Sequence, residues 1–170
     1  MPSNVDTSSI PAELPRDAAA NRLFSLIGQL SVAWANVELV LDVIVFIVHE
    51  KTPLEQERPK SLSRKIRYFK KFNDLVLCSD DKMKLTMAKV AEKLLRHVDA
   101  RNMIIHGCVV EFGTDHQSAT FEKITSRGKR IDFVTRTFDA RQIEYEVFSI
   151  SQVFSLLRNL ALSLMKRSRQ

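Results

Sequence analysis

Arg101, Asn102 and His106 are the residues whose types and spacing most readily support chemistry in this chain. They end a segment in which Met83, Met87, Val90, Leu94, Val98 and Ile105 recur at the three-and-four spacing of one helix face. Arg101 falls inside that stripe, one turn after Val98 and one before Ile105. A guanidinium drawn into a buried face must be paired or bind an anion, because an isolated buried charge is too costly. Asn102 and His106 are four apart and share a neighbouring flank, and a histidine can take or give a proton near neutral pH. At about 100° per residue, Arg101 and His106 point about 140° apart on a regular helix. That divergence predicts that one helix does not aim both at a single anion. Either the helix end unwinds at Gly107, or two copies of the chain share the site.

A structural pairing competes with this chemistry. Glu38 lies a turn beyond Trp34, beside the buried stripe of the first helix, with Asp42 next on the same flank. It is the natural carboxylate for Arg101. His106 equally suits a helix C-terminus, where the dipole favours a cation. The residues alone leave both readings open.

The elements that must position these groups follow from periodicity. The first helix is expected from Asp17, a good N-cap, to about His49, with Leu23, Ile27, Leu30, Trp34, Val37, Leu41, Ile44 and Val48 on its buried face. Its second half is also apolar opposite that face, at Leu39, Val40, Val43, Phe46 and Ile47, so a second copy of the chain is a plausible cover. A loop with Pro53 and Pro59 precedes a second helix from Ser61 to about Cys78, with Leu62, Ile66, Phe69 and Val76 buried. Ser79, Asp80 and Asp81 cap the third helix, and Gly107 is expected to end it in a left-handed cap. Val109–Phe112, Thr120–Thr125 and Ile131–Phe138 are rich in β-branched and aromatic residues, with a turn at Arg127-Gly128. They predict a small β-hairpin, with room for a third short strand. Asp139 and Gln142 resemble a capping box before a fourth helix carrying Ile143, Val147, Ile150, Phe154, Leu157, Ala161 and Leu164. The expected fold is mainly α, a four-helix bundle with the hairpin at 107–138 inserted before the last helix. Residues 1–16 read as a polar, flexible leader to one domain at 17–170.

Against that frame of elements, 170 residues with 45% hydrophobic content suffice for one real core. A net charge of +6 suits a polyanionic partner. Two cysteines, Cys78 and Cys108, without metal-ligand spacing argue against a disulfide framework and for a reducing, cytoplasmic setting. The apolar run Leu39–Val48 is broken by Asp42 and is shorter than the about 20 residues of a membrane span, so no membrane partner is expected. His49, His97 and His116 form no metal spacing with the cysteines, and no Gly-rich phosphate loop is present, so neither a metal nor a cofactor is expected.

Arg101, Asn102 and His106, in the order Arg-Asn-(three residues)-His, resemble the signature of the HEPN superfamily, small helical-bundle proteins with an Arg-x(4–6)-His motif and often a polar residue after the arginine. The context is similar too: a long first helix with Trp34 and Glu38, the motif ending a later helix, and a further helix beyond. The resemblance covers about residues 17–168 in architecture and only the short motif in identity. It implies metal-independent RNA cleavage, or RNA or nucleotide binding where catalysis has been lost, and a homodimer that brings two motifs into one cleft. A toxin–antitoxin or phage-defence role follows from the same resemblance, with an antitoxin protein as partner. In that reading His106 takes the proton of a ribose 2′-hydroxyl, Arg101 stabilises the phosphoryl oxygens, and Asn102 positions the histidine or the phosphate. The alternative is a noncatalytic helical module binding RNA, nucleotide or a protein partner.

A second basic feature stands apart. No acidic residue interrupts the segment from Arg58 to Lys71, and Lys60, Arg64, Arg67 and Lys71 share one face of the second helix. That face offers a track for an RNA backbone, with Tyr68 nearby for stacking; a solvated helix face has the same pattern.

Overall fold

The computed structural model describes residues 17–51, 53–54, 56–76, 81–127 and 130–168. The expected leader, Cys78, Ser79, Asp80 and Gly128 lie outside the described residues. Helix α1 (Ala18–Lys51) begins where Asp17 Oδ1 accepts the Ala20 N–H at 2.8 Å. Leu23, Leu30, Trp34, Val37, Leu41 and Ile44 are buried along it at the expected spacing. Each fully buried side chain of this size contributes roughly 1.5–3 kcal/mol. The opposite side is less uniform than its composition suggests: Val40 is buried, whereas Leu39 and Phe46 are exposed.

Helix α2 (Leu62–Val76) buries Ile66, Tyr68, Phe69 and Phe72. Helix α3 (Asp81–His106) buries Met87, Val90, Ala91, Leu94 and Val98. It remains helical to His106, and Gly107 N–H still donates to the Met103 carbonyl at 2.9 Å. The left-handed cap expected at Gly107 does not form. Its glycine is required for close approach instead: a Cβ there would sit 2.4 Å from the Met103 carbonyl oxygen and 3.0 Å from that of Glu122.

The chain then forms three strands, β1 (Cys108–Phe112), β2 (Ser118–Arg127) and β3 (Arg130–Asp139), in an antiparallel sheet of order β1-β2-β3. The third strand is therefore a full partner. Ala119, Phe121 and Phe138 face the core, with Phe121 and Phe138 edge to face at 5.9 Å. Helix α4 (Ala140–Ser168) starts with the reciprocal capping box that the sequence suggests. Asp139 N–H donates to Gln142 Oε1 at 3.0 Å, and Gln142 N–H donates to Asp139 Oδ1 at 2.7 Å.

One corner joins these elements. In the β1–β2 connection, His116 has a φ of 54° and bonds Asp17 at the start of α1, while the Gln117 carbonyl accepts Ala140 N–H at 2.8 Å. Helices α1 and α4 thus begin together and pack extensively on each other. The architecture is mainly helical, with a small three-stranded sheet before the last helix. Over 18 residues α1 reaches a mean hydropathy of 2.0, and Ala140–Lys166 reaches 1.4. Both are long and apolar enough to cross a membrane by length and composition, which the interrupted run Leu39–Val48 alone does not reveal. The core helix of a soluble protein meets the same criterion.

Candidate functional site

Arg101 lies one turn beyond Val98 on α3, so the buried face draws its guanidinium inward; only 13% of the side chain is exposed. Three groups hold it. Nη2 donates to Glu38 Oε1 on α1 at 2.5 Å. Nη1 donates to Asn102 Oδ1 at 3.0 Å and to His106 Nε2 at 2.6 Å. Its Nε is buried without a hydrogen-bond partner among the described residues.

The contact with His106 corrects the expectation from helix geometry. Neither an unwound helix end nor a second copy is needed to bring Arg101 and His106 together. The angle of about 140° describes where the two side chains leave the helix. The arginine stem is long, and past His106 no further helical turn blocks its route across the end. Asn102 holds the arginine: its side-chain oxygen accepts from Arg101 Nη1.

Because a guanidinium has no acceptor, His106 Nε2 must accept the hydrogen bond. The imidazole is then neutral and carries its proton on Nδ1. Partial desolvation of this largely exposed ring, then the Arg101 charge, then that of Lys123 on β2 hold its pKa below the ordinary histidine value; Glu38 opposes them. The helix dipole would favour a cation here, but partial desolvation and the two neighbouring cations outweigh it.

Asp42 takes no part in this network. Its Oδ1 accepts Lys65 Nζ from α2 at 2.7 Å, because the next turn of α1 faces α2 rather than the end of α3. Lys60, Arg64, Arg67 and Lys71 are exposed together on the α2 side. Arg67 Nε donates to the Ser63 carbonyl at 3.3 Å and Lys71 Nζ to the Leu54 carbonyl at 3.1 Å. Tyr68 is not available for stacking: it is buried, with its hydroxyl bonded to His49 Nδ1 at 3.2 Å and accepting Leu54 N–H at 3.3 Å.

Sequence reasoning missed a cleft of about 320 Å³ beside this site, lined by Asp99, Asn102 and Met103 of α3 with Lys123, Thr125, Val134, Thr135 and Arg136 of the sheet. Its signal was strand alternation. Phe121, Lys123 and Thr125 share one face of β2, and Lys123 pairs with Val134 across the ladder. The core covers that face at Phe121 and stops short of Lys123. Elsewhere, His97 Nδ1 meets Glu146 Oε2 at 2.7 Å in a mostly buried pair between α3 and α4.

Among the described residues, no group of three or more His, Cys, Asp or Glu is placed to hold a metal ion. Comparisons with protein-family models, with curated proteins and with solved structures find no match to this chain.

Proposed function

We propose that this protein is an HEPN-like, metal-independent endoribonuclease that acts as a cytoplasmic homodimer, serving as a toxin or phage-defence component restrained by an antitoxin protein. In this reading the four helices are an HEPN-like bundle carrying an inserted sheet. The observation that carries the proposal is the 2.6 Å contact between Arg101 Nη1 and a neutral His106 Nε2. It joins a fixed cation to a proton acceptor, the two groups that cleavage of RNA by its own 2′-hydroxyl requires.

An incoming phosphate competes for Arg101 Nη1 and releases the Nε2 lone pair. His106 then takes the 2′-hydroxyl proton as the oxygen attacks phosphorus, and Arg101 stabilises the charge on the phosphoryl oxygens. The bond to the 5′-oxygen breaks, and in a dimer the second copy's protonated His106 supplies that oxygen's proton. Glu38 and Asn102 position Arg101. The exposed basic residues Arg64, Arg67 and Lys71 of α2, with Lys60 just before the helix, guide the RNA backbone.

A second reading draws on the same network. The Glu38–Arg101 pair at 2.5 Å neutralises a mostly buried guanidinium, as expected of a noncatalytic module that binds RNA, nucleotide or a protein partner. Incubation with mixed-sequence RNA in the presence of a chelator separates the two. The nuclease reading expects fragments ending in a cyclic phosphate, and no cutting of RNA whose 2′-hydroxyls are methylated. Intact RNA under these conditions supports the binding module.

A further inference from the structure

Resting on the ribonuclease reading above, we propose that the cleft between the end of α3 and the outer half of the sheet seats one nucleotide of a single-stranded RNA. In that position Lys123 holds a phosphate next to the one at Arg101 and His106. The cleft adjoins the catalytic pair through two residues: Asn102, which both lines it and bonds Arg101, and Lys123, whose charge acts on His106.

The lining is suited to a base and its phosphate. Met103, buried, and Val134, half exposed, give an apolar surface for a ring. Asn102, Thr125 and Thr135 supply polar groups around it, and Asp99 supplies a carboxylate that only accepts hydrogen bonds. Lys123 and Arg136 outnumber that one carboxylate, so the cleft favours an anion. Lys123 has no ion-pair partner among the described residues, whereas the Arg136 guanidinium lies 4.8 Å from the Phe138 ring centroid.

Size selects the form of nucleic acid. A volume of about 320 Å³ is at the lower end of small-ligand pockets. It admits one unstacked nucleotide and excludes a duplex, whose bases stay paired and stacked. Sequence-reading proteins commonly engage RNA as splayed single strands in this way.

The test is binding of short, fluorescein-labelled, 2′-O-methyl single-stranded RNA of mixed sequence by the full chain, followed by anisotropy across a salt series. Lys123→Gln should weaken binding about tenfold and lower the slope of log affinity against log salt by about 0.7, the loss of one single-strand phosphate contact. Arg158→Gln is the control: this exposed residue lies on α4, which contributes nothing to the cleft lining. Native-like affinity in folded Lys123→Gln, an equal loss in Arg158→Gln, or no RNA binding by the native chain overturns the proposal. Cleavage of unmodified RNA keeps the two claims apart. Lys123-dependent binding without cutting retains the cleft and removes the nuclease reading. Cutting with an unchanged KM in Lys123→Gln does the reverse.

Discussion

Arg101 donates to a carboxylate, an amide oxygen and an imidazole nitrogen at once, and each partner constrains what the others do. Glu38 raises the His106 pKa while Arg101 and Lys123 lower it. Glu38→Gln should therefore move the imidazole titration to lower pH, and Lys123→Gln should move it to higher pH, both read from its ring proton shifts by NMR. Shifts in the opposite directions would show that these charges do not act on His106 as described. The sign for stability follows from linkage. A histidine whose folded pKa is depressed contributes stability above its unfolded value of about 6.5, and loses it as pH falls through the folded value. The nuclease reading correspondingly expects the rate to fall on the acid side as His106 protonates. The stripe position of Arg101 was legible from helical spacing, and Glu38 stood out as a candidate carboxylate, but whether that pair or an anion holds the guanidinium depends on how α1 lies against α3. The His106 contact was not, because spacing gives the direction in which a side chain leaves the helix and not where a long flexible one ends.

At the scale of elements, the starts of α1 and α4 were the most legible features, because capping is local chemistry within three residues. The Asp139–Gln142 box forms in both directions and begins α4 directly after β3. Asp139→Ala should cost about 1 kcal/mol in urea unfolding, with the sheet intact by circular dichroism. A variant as stable as the native chain would mean that the β1–β2 corner alone fixes the start of α4. The sheet was only partly legible. β-branched and aromatic residues located the strands, but pairing of β3 along the whole of β2 is a long-range event that composition does not encode. Gly107 shows the same limit. Its place after the helix was clear, whereas the way the backbone leaves α3, setting Gly107 against the Met103 carbonyl first and the Glu122 carbonyl of β2 next, was not.

At the scale of the whole molecule, α1 presents apolar residues to the surface. Val32, Leu39 and Phe46 recur at seven-residue intervals along α1 and are each at least half exposed. That spacing suits a helix seam between two copies, and the proposed homodimer uses it. Leu39→Lys with Phe46→Lys should convert a dimer to a monomer by light scattering and leave helix content unchanged. A native chain that is monomeric at micromolar concentration would remove the dimer, and native chains that float with lipid vesicles would assign the apolar face to a membrane instead. Sequence exposed the surplus of apolar residues on α1. It did not separate buried Val40 from exposed Leu39, since that depends on where α4 and α2 lie.

Cleavage of RNA by Arg101 and His106 together is tested most directly by matched single variants. Native protein, Arg101→Ala and His106→Ala would be incubated with mixed-sequence RNA and chelator, with folding checked by circular dichroism and thermal unfolding. The expected result is cutting by the native chain and a loss of at least about a hundredfold in each folded variant, the usual scale for removing an acid–base group or a charge-stabilising donor. Cutting that persists undiminished in folded His106→Ala, or a native chain that never cuts RNA, would contradict it.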